Sequence, residues 1–131
     1  MCCDYVIRHD EYQVAVAAFG NNKTRLYWTD KLLEEGYEVP AIVHPSAIVS
    51  PSAVLEPGCF VMQRAVVNTQ TKIERAVLVN SGAIVDHGSS VGAGAHIGLG
   101  SVVKSDCVIE SGRKVEAGEV IFSTRRKIEG V

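Results

Sequence analysis

The chain has no long apolar run and no large charge excess, and its N-terminus does not resemble a secretion signal. Its 131 residues carry a formal net charge of −2, which argues against a surface dedicated to nucleic acid. No apolar run approaches the roughly 18 residues that a membrane span needs. The N-terminus has no basic start followed by an apolar stretch, so no signal peptide is predicted. We therefore expect a cytoplasmic protein that does not insert into membranes.

Zinc-type cysteine spacing is also missing. None of the four cysteines belongs to a C-x-x-C pair, which argues against a structural zinc site. Adjacent Cys2 and Cys3 could bind a metal or oxidise, but free thiols in a reducing compartment are the expectation. Aromatic residues make up only 6% of a chain that is 47% hydrophobic. The apolar content is mostly Val, Ile and Ala, which favours a β-rich body with a real core.

A six-residue period organises the second half of the chain. Every sixth position from residue 73 is aliphatic: Ile73, Val79, Val85, Val91, Ile97, Val103, Ile109, Val115 and Ile121. Small residues follow four positions later: Ala83, Ser89, Ala95, Ser101 and Cys107. This period fits neither an α-helix nor a long strand, but it fits short parallel strands separated by tight corners in a solenoid. We expect the aliphatic side chains to point inward and the small ones to lie beside the corners.

A second apolar series precedes the first. It comprises Ile48, Val54, Phe60 and Val66, and it is out of phase by one residue, because position 72 is Lys and the next aliphatic residue is Ile73. The pattern predicts one extra residue between positions 66 and 73, as a bulge or a widened corner.

The N-terminal part has a different pattern. YQVAVAAF (12–19) is typical of a buried strand, GNN (20–22) of a turn, and EVPAIVH (38–44) of a second strand entering the solenoid. Between them, a helical stripe ending at Gly36 contains Leu26, Tyr27, Trp28, Leu32 and Leu33. This βαβ unit is too small to stand alone, so we expect a cap over the first coil rather than an independent binding unit. The expected organisation is a cap over 1–43, a β-helix over 44–122 and a tail over 123–131.

The hexads resemble those of the left-handed parallel β-helix family, in which three hexads form one triangular coil, so that residues 48–121 make about four coils. Within them, VLVNSGAIVDHGSSVGAGAHIGLGS (77–101) resembles the core of sugar acetyltransferases that make sialic acid O-acetyl esters or N-acetylated bacillosamine and perosamine. Asn80, His87 and His96 reproduce that family's N-x6-H-x8-H spacing. AFGNNKTR (18–25) and IVHPSAIVSPSAVLEPG (42–58) resemble its flanking segments.

The resemblance implies a homotrimer with active sites in the clefts between neighbouring prisms. His87 would be the general base that deprotonates an amine or hydroxyl of a sugar or nucleotide sugar, and acetyl-CoA would be the acyl donor. Asn80, His96, Gly98 and Ser105 would bind the acetyl-CoA, with no metal required. Nine residues are half a coil, so His87 and His96 should lie on different walls and meet only across a subunit boundary.

One departure from the family concerns the group beside the base. Family members place an acidic residue directly after the catalytic histidine, whereas this chain has Gly88 there. Asp86 precedes the histidine, but neighbours on an extended backbone point apart, so no carboxylate is expected beside His87.

Two alternatives stay open from the sequence. One is a shortened, non-catalytic trimeric β-helix that acts as a scaffold or binding module. The other is a metal site like that of hexapeptide-repeat carbonic anhydrases, which needs three histidines and a closer pair than His87 and His96. The basic residues Arg125, Arg126 and Lys127 could meet the phosphates of coenzyme A, although a solvated tail is the expectation.

Overall fold

The computed structural model describes residues 10–123. The adjacent cysteines Cys2 and Cys3, and the basic cluster Arg125, Arg126 and Lys127, lie outside the described residues, so the expectations for them stay predictions.

Fourteen two-residue strands form three flat walls, which we number in the order in which the chain visits them. Wall 1 contains β1 (Ile42–Val43), β4 (Phe60–Val61), β7 (Leu78–Val79), β10 (His96–Ile97) and β13 (Lys114–Val115). Wall 2 contains β2 (Ile48–Val49), β5 (Val66–Val67), β8 (Ile84–Val85), β11 (Val102–Val103) and β14 (Val120–Ile121). Wall 3 contains β3 (Val54–Leu55), β6 (Lys72–Ile73), β9 (Ser90–Val91) and β12 (Val108–Ile109).

Each strand pairs in parallel with the strand one coil away. The register is constant at 18 residues, as in Ile42 with Phe60 and His96 with Lys114. Four-residue turns join successive walls, and we name them corner 1–2, corner 2–3 and corner 3–1 after the walls they connect. The predicted left-handed parallel β-helix of about four coils is confirmed.

The core of the prism is a stack of aliphatic side chains at the second position of each strand. From Val61 to Val115 these side chains are at most 1% exposed. The predicted inward series from Ile73 onward is therefore confirmed, with Ile121 partly buried against the end of the stack. The small residues at the corners, from Ala83 to Cys107, are buried as predicted. Each buried Val or Ile contributes about 1.5–3 kcal/mol before the entropy of ordering the chain is subtracted.

The predicted change of phase between residues 66 and 73 is wrong. Val66 and Val67 pair with Ile84 and Val85 in unbroken register, without an extra residue. The first coils carry apolar residues at both strand positions. The predicted series from Ile48 to Val66 consists of the outward residues, not the inward ones. Ile48 is consequently 67% exposed, whereas Val67 is fully buried. An apolar pocket of about 260 Å³ lies beside the N-terminal segment, where Phe60 and Leu78 of wall 1 and Met62 of corner 1–2 lie opposite Phe19.

The predicted helix is present as α1 (Asn22–Glu34). Asn21 caps its N-terminus, because the side-chain oxygen accepts a hydrogen bond from the Thr24 N–H at 3.0 Å. The chain leaves the helix at Gly36, as predicted, with the Gly36 N–H donating to Leu33 O. Trp28 packs against the small N-terminal cluster formed around Ala17, Leu32, Tyr37 and Val39.

The helix face that is buried differs from the predicted apolar stripe. Its buried residues are Arg25, Thr29 and Leu32, whereas Tyr27 is 61% exposed. The helix lies along corner 3–1, where Arg25 donates from Nε to Ala76 O at 2.7 Å and from Nη2 to Gly94 O at 3.1 Å. A side chain at Gly94 would crowd Leu26, so the glycine permits this close approach. Arg25 thus binds the helix to the backbone of two successive coils.

The predicted strand over residues 12–19 reduces to a single bridge between Val14 and Glu38. Ala15 N–H donates to Glu38 O, and Glu38 N–H donates to Gln13 O. Ala17 is buried, but Val14 is 53% exposed. The segment therefore buries little of its apolar surface and pairs over only a short length. Within residues 10–123, no helix has the length and apolar character required to cross a lipid bilayer.

Candidate active site

The predicted site residues form two groups at opposite edges of wall 2. Asn80 and Gly98 occupy equivalent positions of corner 1–2, and His96 faces outward from β10 on wall 1. His87 and Ser105 occupy equivalent positions of corner 2–3, one coil apart. Neither histidine is at an inward position, and the two lie on different parts of the prism, as the half-coil spacing predicts.

His87 is an exposed ring held at one nitrogen. Its side chain is 61% exposed, and Nδ1 lies 3.1 Å from Asp86 Oδ1. The same carboxylate oxygen accepts the backbone N–H of His87 at 2.7 Å and Asn68 Nδ2 at 2.9 Å. These donors lower the pKa of Asp86, with the backbone N–H of His87 as the largest cause. Asp86 is therefore an ionised acceptor beside the ring.

This contact corrects the expectation that no carboxylate lies beside His87. The expectation assumed an extended backbone, on which neighbours point to opposite faces. The strand β8 ends at Val85, however, and the chain turns through corner 2–3 at Asp86 and His87. The turn folds the Asp86 carboxylate back over the next peptide, where it reaches both the N–H and the ring of His87.

Ser105 lies one coil beyond His87. The backbones of the two coils are joined here, since the Asp106 N–H donates to His87 O at 3.0 Å. The Ser105 carbonyl also accepts a long contact from Cys107 Sγ at 3.7 Å. Ser105 is partly exposed, so its hydroxyl belongs to the same surface as His87.

Asn80 and His96 form a direct pair on the other edge. Asn80 Nδ2 lies 3.1 Å from His96 Nε2. Asn80 Oδ1 accepts the Ser81 N–H at 2.8 Å, which turns the amide nitrogen toward the ring. Nε2 therefore accepts from the amide, and the ring proton is on Nδ1. The pair presents a neutral imidazole in one tautomer.

The electrostatic surroundings keep His96 neutral. Burial lowers its pKa from the ordinary 6.5, and the positive charges of Arg25 and Lys114 lower it further. His96 also lines an open groove of about 480 Å³ between β10 and the start of α1, together with Gly20, Asn21, Asn22, Lys23, Gly112 and Lys114. Two lysines and a helix N-terminus make this groove a favourable environment for an anionic group.

Sequence reasoning missed the residues of this groove. Lys114 follows His96 by 18 residues, so the coil length alone places the two side by side on wall 1. Lys23 and Asn22 come to the groove because Arg25 fixes the helix against corner 3–1, which no local pattern indicates. Asn22 Nδ2 itself donates to Gly112 O at 3.2 Å, closing one end of the groove.

Gly98 is buried between successive coils. Its N–H donates to Val115 O, and its carbonyl accepts from Ser101 Oγ at 2.7 Å. A side chain at this position would collide with the backbone of Val115 and Glu116 in the next coil. These contacts account for a glycine here by packing alone, and its predicted role in binding acetyl-CoA stays a prediction.

Wall 2 separates the two groups with an aliphatic outer face. Its outward residues, one from each coil, are Ile48, Val66, Ile84, Val102 and Val120. Ile84 is 37% exposed and Val120 is 44% exposed. The outward positions of wall 3 are mixed instead, since Lys72 and Ser90 lie between Val54 and Val108. Wall 2 is thus an apolar strip with a histidine group along each edge.

No group of three or more His, Cys, Asp or Glu side chains in the described part of the chain could hold a metal ion. Cys59 and Cys107 are buried as free thiols, and burial raises the pKa of Cys59 to about 12. These thiols therefore belong to the packed interior.

Solved sugar N-acetyltransferases share this structure. PerB from Caulobacter crescentus, in complex with CoA and GDP-perosamine, superposes with a TM-score of 0.77 at 28% identity, over 88% of this chain and 64% of PerB. A histidine-to-asparagine mutant of perosamine N-acetyltransferase from the same organism, with the same ligands, gives a TM-score of 0.73 at 26% identity, over 88% of this chain and 63% of that one.

A third structure has acetyl coenzyme A bound. The acetyltransferase domain of PglB from Neisseria gonorrhoeae matches with a TM-score of 0.68 at 28% identity, over 82% of this chain and 62% of that domain. No family model matches the chain, and neither does any curated protein sequence. The solved structures confirm the resemblance to hexapeptide-repeat sugar acetyltransferases, and the chain spans somewhat less than two thirds of their length.

Proposed function

We propose that the protein transfers an acetyl group from acetyl-CoA to an amino or hydroxyl group of a sugar or nucleotide sugar, at sites between the subunits of a homotrimer. The observation that carries this proposal is the placement of the N-x6-H-x8-H residues along the two edges of wall 2, on the fold of CoA-bound acetyltransferases. A cytoplasmic location suits the free thiols of Cys59 and Cys107.

Wall 2 supports the homotrimer. An aliphatic ladder running the length of the solenoid is a surface that a neighbouring copy would cover. In a cyclic assembly each copy uses one surface against a different surface of the next. Packing through this strip brings an edge of one prism against the opposite edge of its neighbour, so that His87 of one copy approaches Asn80 and His96 of another. Such a cleft would join the two groups that a single chain keeps apart.

His87 supplies the base in this proposal. The proton on Nδ1 is directed at Asp86, so the lone pair on Nε2 accepts a proton from the attacking amine or hydroxyl. The new bond forms between that nitrogen or oxygen and the acetyl carbon. The bond from the carbonyl carbon to sulfur breaks with its electron pair on sulfur, and the proton held on Nε2 passes to the thiolate to give free CoA. No metal is required.

The opposite group, Asn80 and His96, binds acetyl-CoA and polarises its thioester carbonyl. Asn80 holds His96 in one neutral tautomer, which gives the cleft a hydrogen-bond donor at Nδ1 that does not compete with His87 for protons. The groove beside His96 has Lys23, Lys114 and the N-terminus of α1 along its wall, and these suit the diphosphate of a nucleotide sugar. The CoA and GDP-perosamine bound by PerB have the matching chemical classes.

Ligand protection separates this function from a non-catalytic scaffold. In one experiment the protein is melted with acetyl-CoA, and with acetate alone as control. In a second, a thiol reagent follows the release of CoA in the presence of acetyl-CoA and GDP-perosamine. A ligand at a hundred times its Kd stabilises the folded state by about 2.7 kcal/mol, which raises the Tm by several degrees. No protection at millimolar acetyl-CoA and no thiol release would favour the scaffold.

A further inference from the structure

We infer that Asp86 is the positioning residue of His87. It takes the place of the acidic residue that follows the histidine in the family that this chain resembles. This inference rests on the proposed role of His87 as base. It assigns to the preceding residue the task of orienting the ring and fixing its tautomer, and it makes Asn68 the support of that carboxylate.

The first argument is the direction of the hydrogen bond. Asp86 Oδ1 is a carboxylate oxygen that only accepts, and it lies 3.1 Å from His87 Nδ1. The ring nitrogen therefore donates, which places the proton on Nδ1 and leaves Nε2 with a free lone pair. An imidazole without such a partner favours the opposite tautomer in water. The contact thus selects the form of His87 in which the outer nitrogen can accept a proton.

The second argument is that Asp86 is itself held in place. Asn68 occupies the same corner position one coil earlier, and its Nδ2 donates to Asp86 Oδ1 at 2.9 Å. The backbone beneath is fixed, since the Asp86 N–H donates to Val103 O at 2.8 Å and the Asn68 N–H donates to Val85 O. Thr71 Oγ1 donates to Asp86 O at 3.2 Å. Because Asn68 holds the carboxylate oxygen and these bonds fix the backbone of Asp86, the residue can hold an otherwise exposed ring.

The third argument concerns the position where the family has its acid. Gly88 has φ of +70°, a conformation that side chains rarely adopt, and a Cβ there would collide with Asp106 Oδ1. Gln70 and Asp106 have side chains at the equivalent positions of the neighbouring coils with φ of 55°, so what matters at 88 is that glycine has no carboxylate to offer His87. Because corner 2–3 turns at Asp86, the carboxylate that reaches His87 comes from the residue before it.

The tautomer of His87 is the readout that tests this assignment directly. Long-range ¹H–¹⁵N NMR spectra locate the ring proton, and the spectrum of His87→Ala identifies the His87 signals. In the unsubstituted protein and in Asp86→Asn, which keeps an acceptor oxygen, we expect the proton on Nδ1. In Asp86→Ala we expect it to shift to Nε2.

Asp106→Asn is the matched control. Asp106 is the second carboxylate of this corner, and its φ of 55° suits asparagine. We expect this variant to keep the proton of His87 on Nδ1. An unchanged tautomer in Asp86→Ala, or a switched tautomer in Asp106→Asn, would overturn the inference whether or not the protein transfers acetyl groups.

Kinetics supply the second readout. Loss of the orienting group should lower kcat in Asp86→Ala by about 10- to 100-fold, part of what a general base contributes, with the KM for acetyl-CoA changing less. Asp86→Asn should recover part of the rate. If the unsubstituted protein transfers acetyl groups and Asp86→Ala keeps its kcat, the inference fails. If the unsubstituted protein is inactive, the proposed function fails and the tautomer alone decides the inference.

Discussion

Two histidines nine residues apart have opposite environments in this molecule. His87 lies at a corner, 61% exposed, with a carboxylate 3.1 Å from its ring. His96 lies on a strand, half-buried, with an amide against one nitrogen, and burial and neighbouring cations lower its pKa. The comparison shows how position in a three-walled solenoid determines the surroundings of a side chain. Half a coil separates a histidine at a turn, beside a carboxylate, from a histidine on a flat wall, beside the start of a helix.

The largest expected effect comes from removing His87. If it is the base, His87→Ala should lower kcat by about 10²- to 10⁴-fold while leaving the melting temperature unchanged, because the ring is exposed. His44→Ala is the matched control, since His44 also follows a strand at a corner, where its ring Nδ1 bonds to Ser46. Equal rates in the two variants would remove His87 from the mechanism.

The next effect compares a buried and a partly exposed arginine contact between α1 and corner 3–1. Arg25→Leu should reduce the free energy of unfolding by about 2–4 kcal/mol, because the backbone carbonyls of the coils lose a charged, buried donor. Urea denaturation measures the loss. Arg75→Leu on the same corner is the control: its ion pair with Asp30 is about 40% exposed and should cost less than about 1 kcal/mol. Similar losses of unfolding free energy in the two variants would show that burial does not determine how much Arg25 stabilises the fold.

A third effect concerns the strip between the two histidines. Ile84→Glu puts a charge on the aliphatic face of wall 2, so the dissociation constant of the oligomer should rise by about 10- to 100-fold. Light scattering during size exclusion measures the change. Val108→Glu, on the outward face of wall 3 and 75% exposed, should leave the oligomer intact. The reverse result would move the interface to wall 3.

The smallest effect is the pH dependence that His96 contributes. Its folded pKa is below 6.5, so as the pH falls below about 6.5 the unfolded chain binds a proton that the folded chain does not, and stability decreases until the folded ring also titrates. Above about pH 6.5 His96 contributes nothing to the pH dependence of the unfolding free energy. His96→Asn should flatten the corresponding part of the curve of unfolding free energy between pH 8 and 5. Parallel curves for the two proteins would contradict the lowered pKa.

The solenoid was predictable because its period repeats. Positions 73 to 121 identify the inward face, and the coil length follows from the resemblance. The phase of the first coils was not predictable in the same way. Strands such as Val66–Val67 are aliphatic at both positions, and only pairing with the following coils shows that Val67 is the buried one.

The candidate site residues stay a prediction, and the sequence did not indicate their contacts. The spacing of Asn80, His87 and His96 identified the histidines, and the coil length separated them. The Asp86 contact depends on where β8 ends, and a shift of one residue in that boundary changes which way the carboxylate points. The groove at His96 depends on Arg25 anchoring a helix to carbonyls more than 50 residues away, which local sequence does not encode.

Mixed oligomers test most directly whether the two histidine groups act together across a subunit boundary. His87→Ala and His96→Ala should each be impaired alone. After unfolding and refolding in a 1:1 mixture, about a quarter of the clefts in a cyclic trimer would combine an intact His87 from one subunit with an intact His96 from the next. The account predicts that this fraction of the original acetyl transfer returns. A mixture no more active than its two components would show that the groups do not share a site.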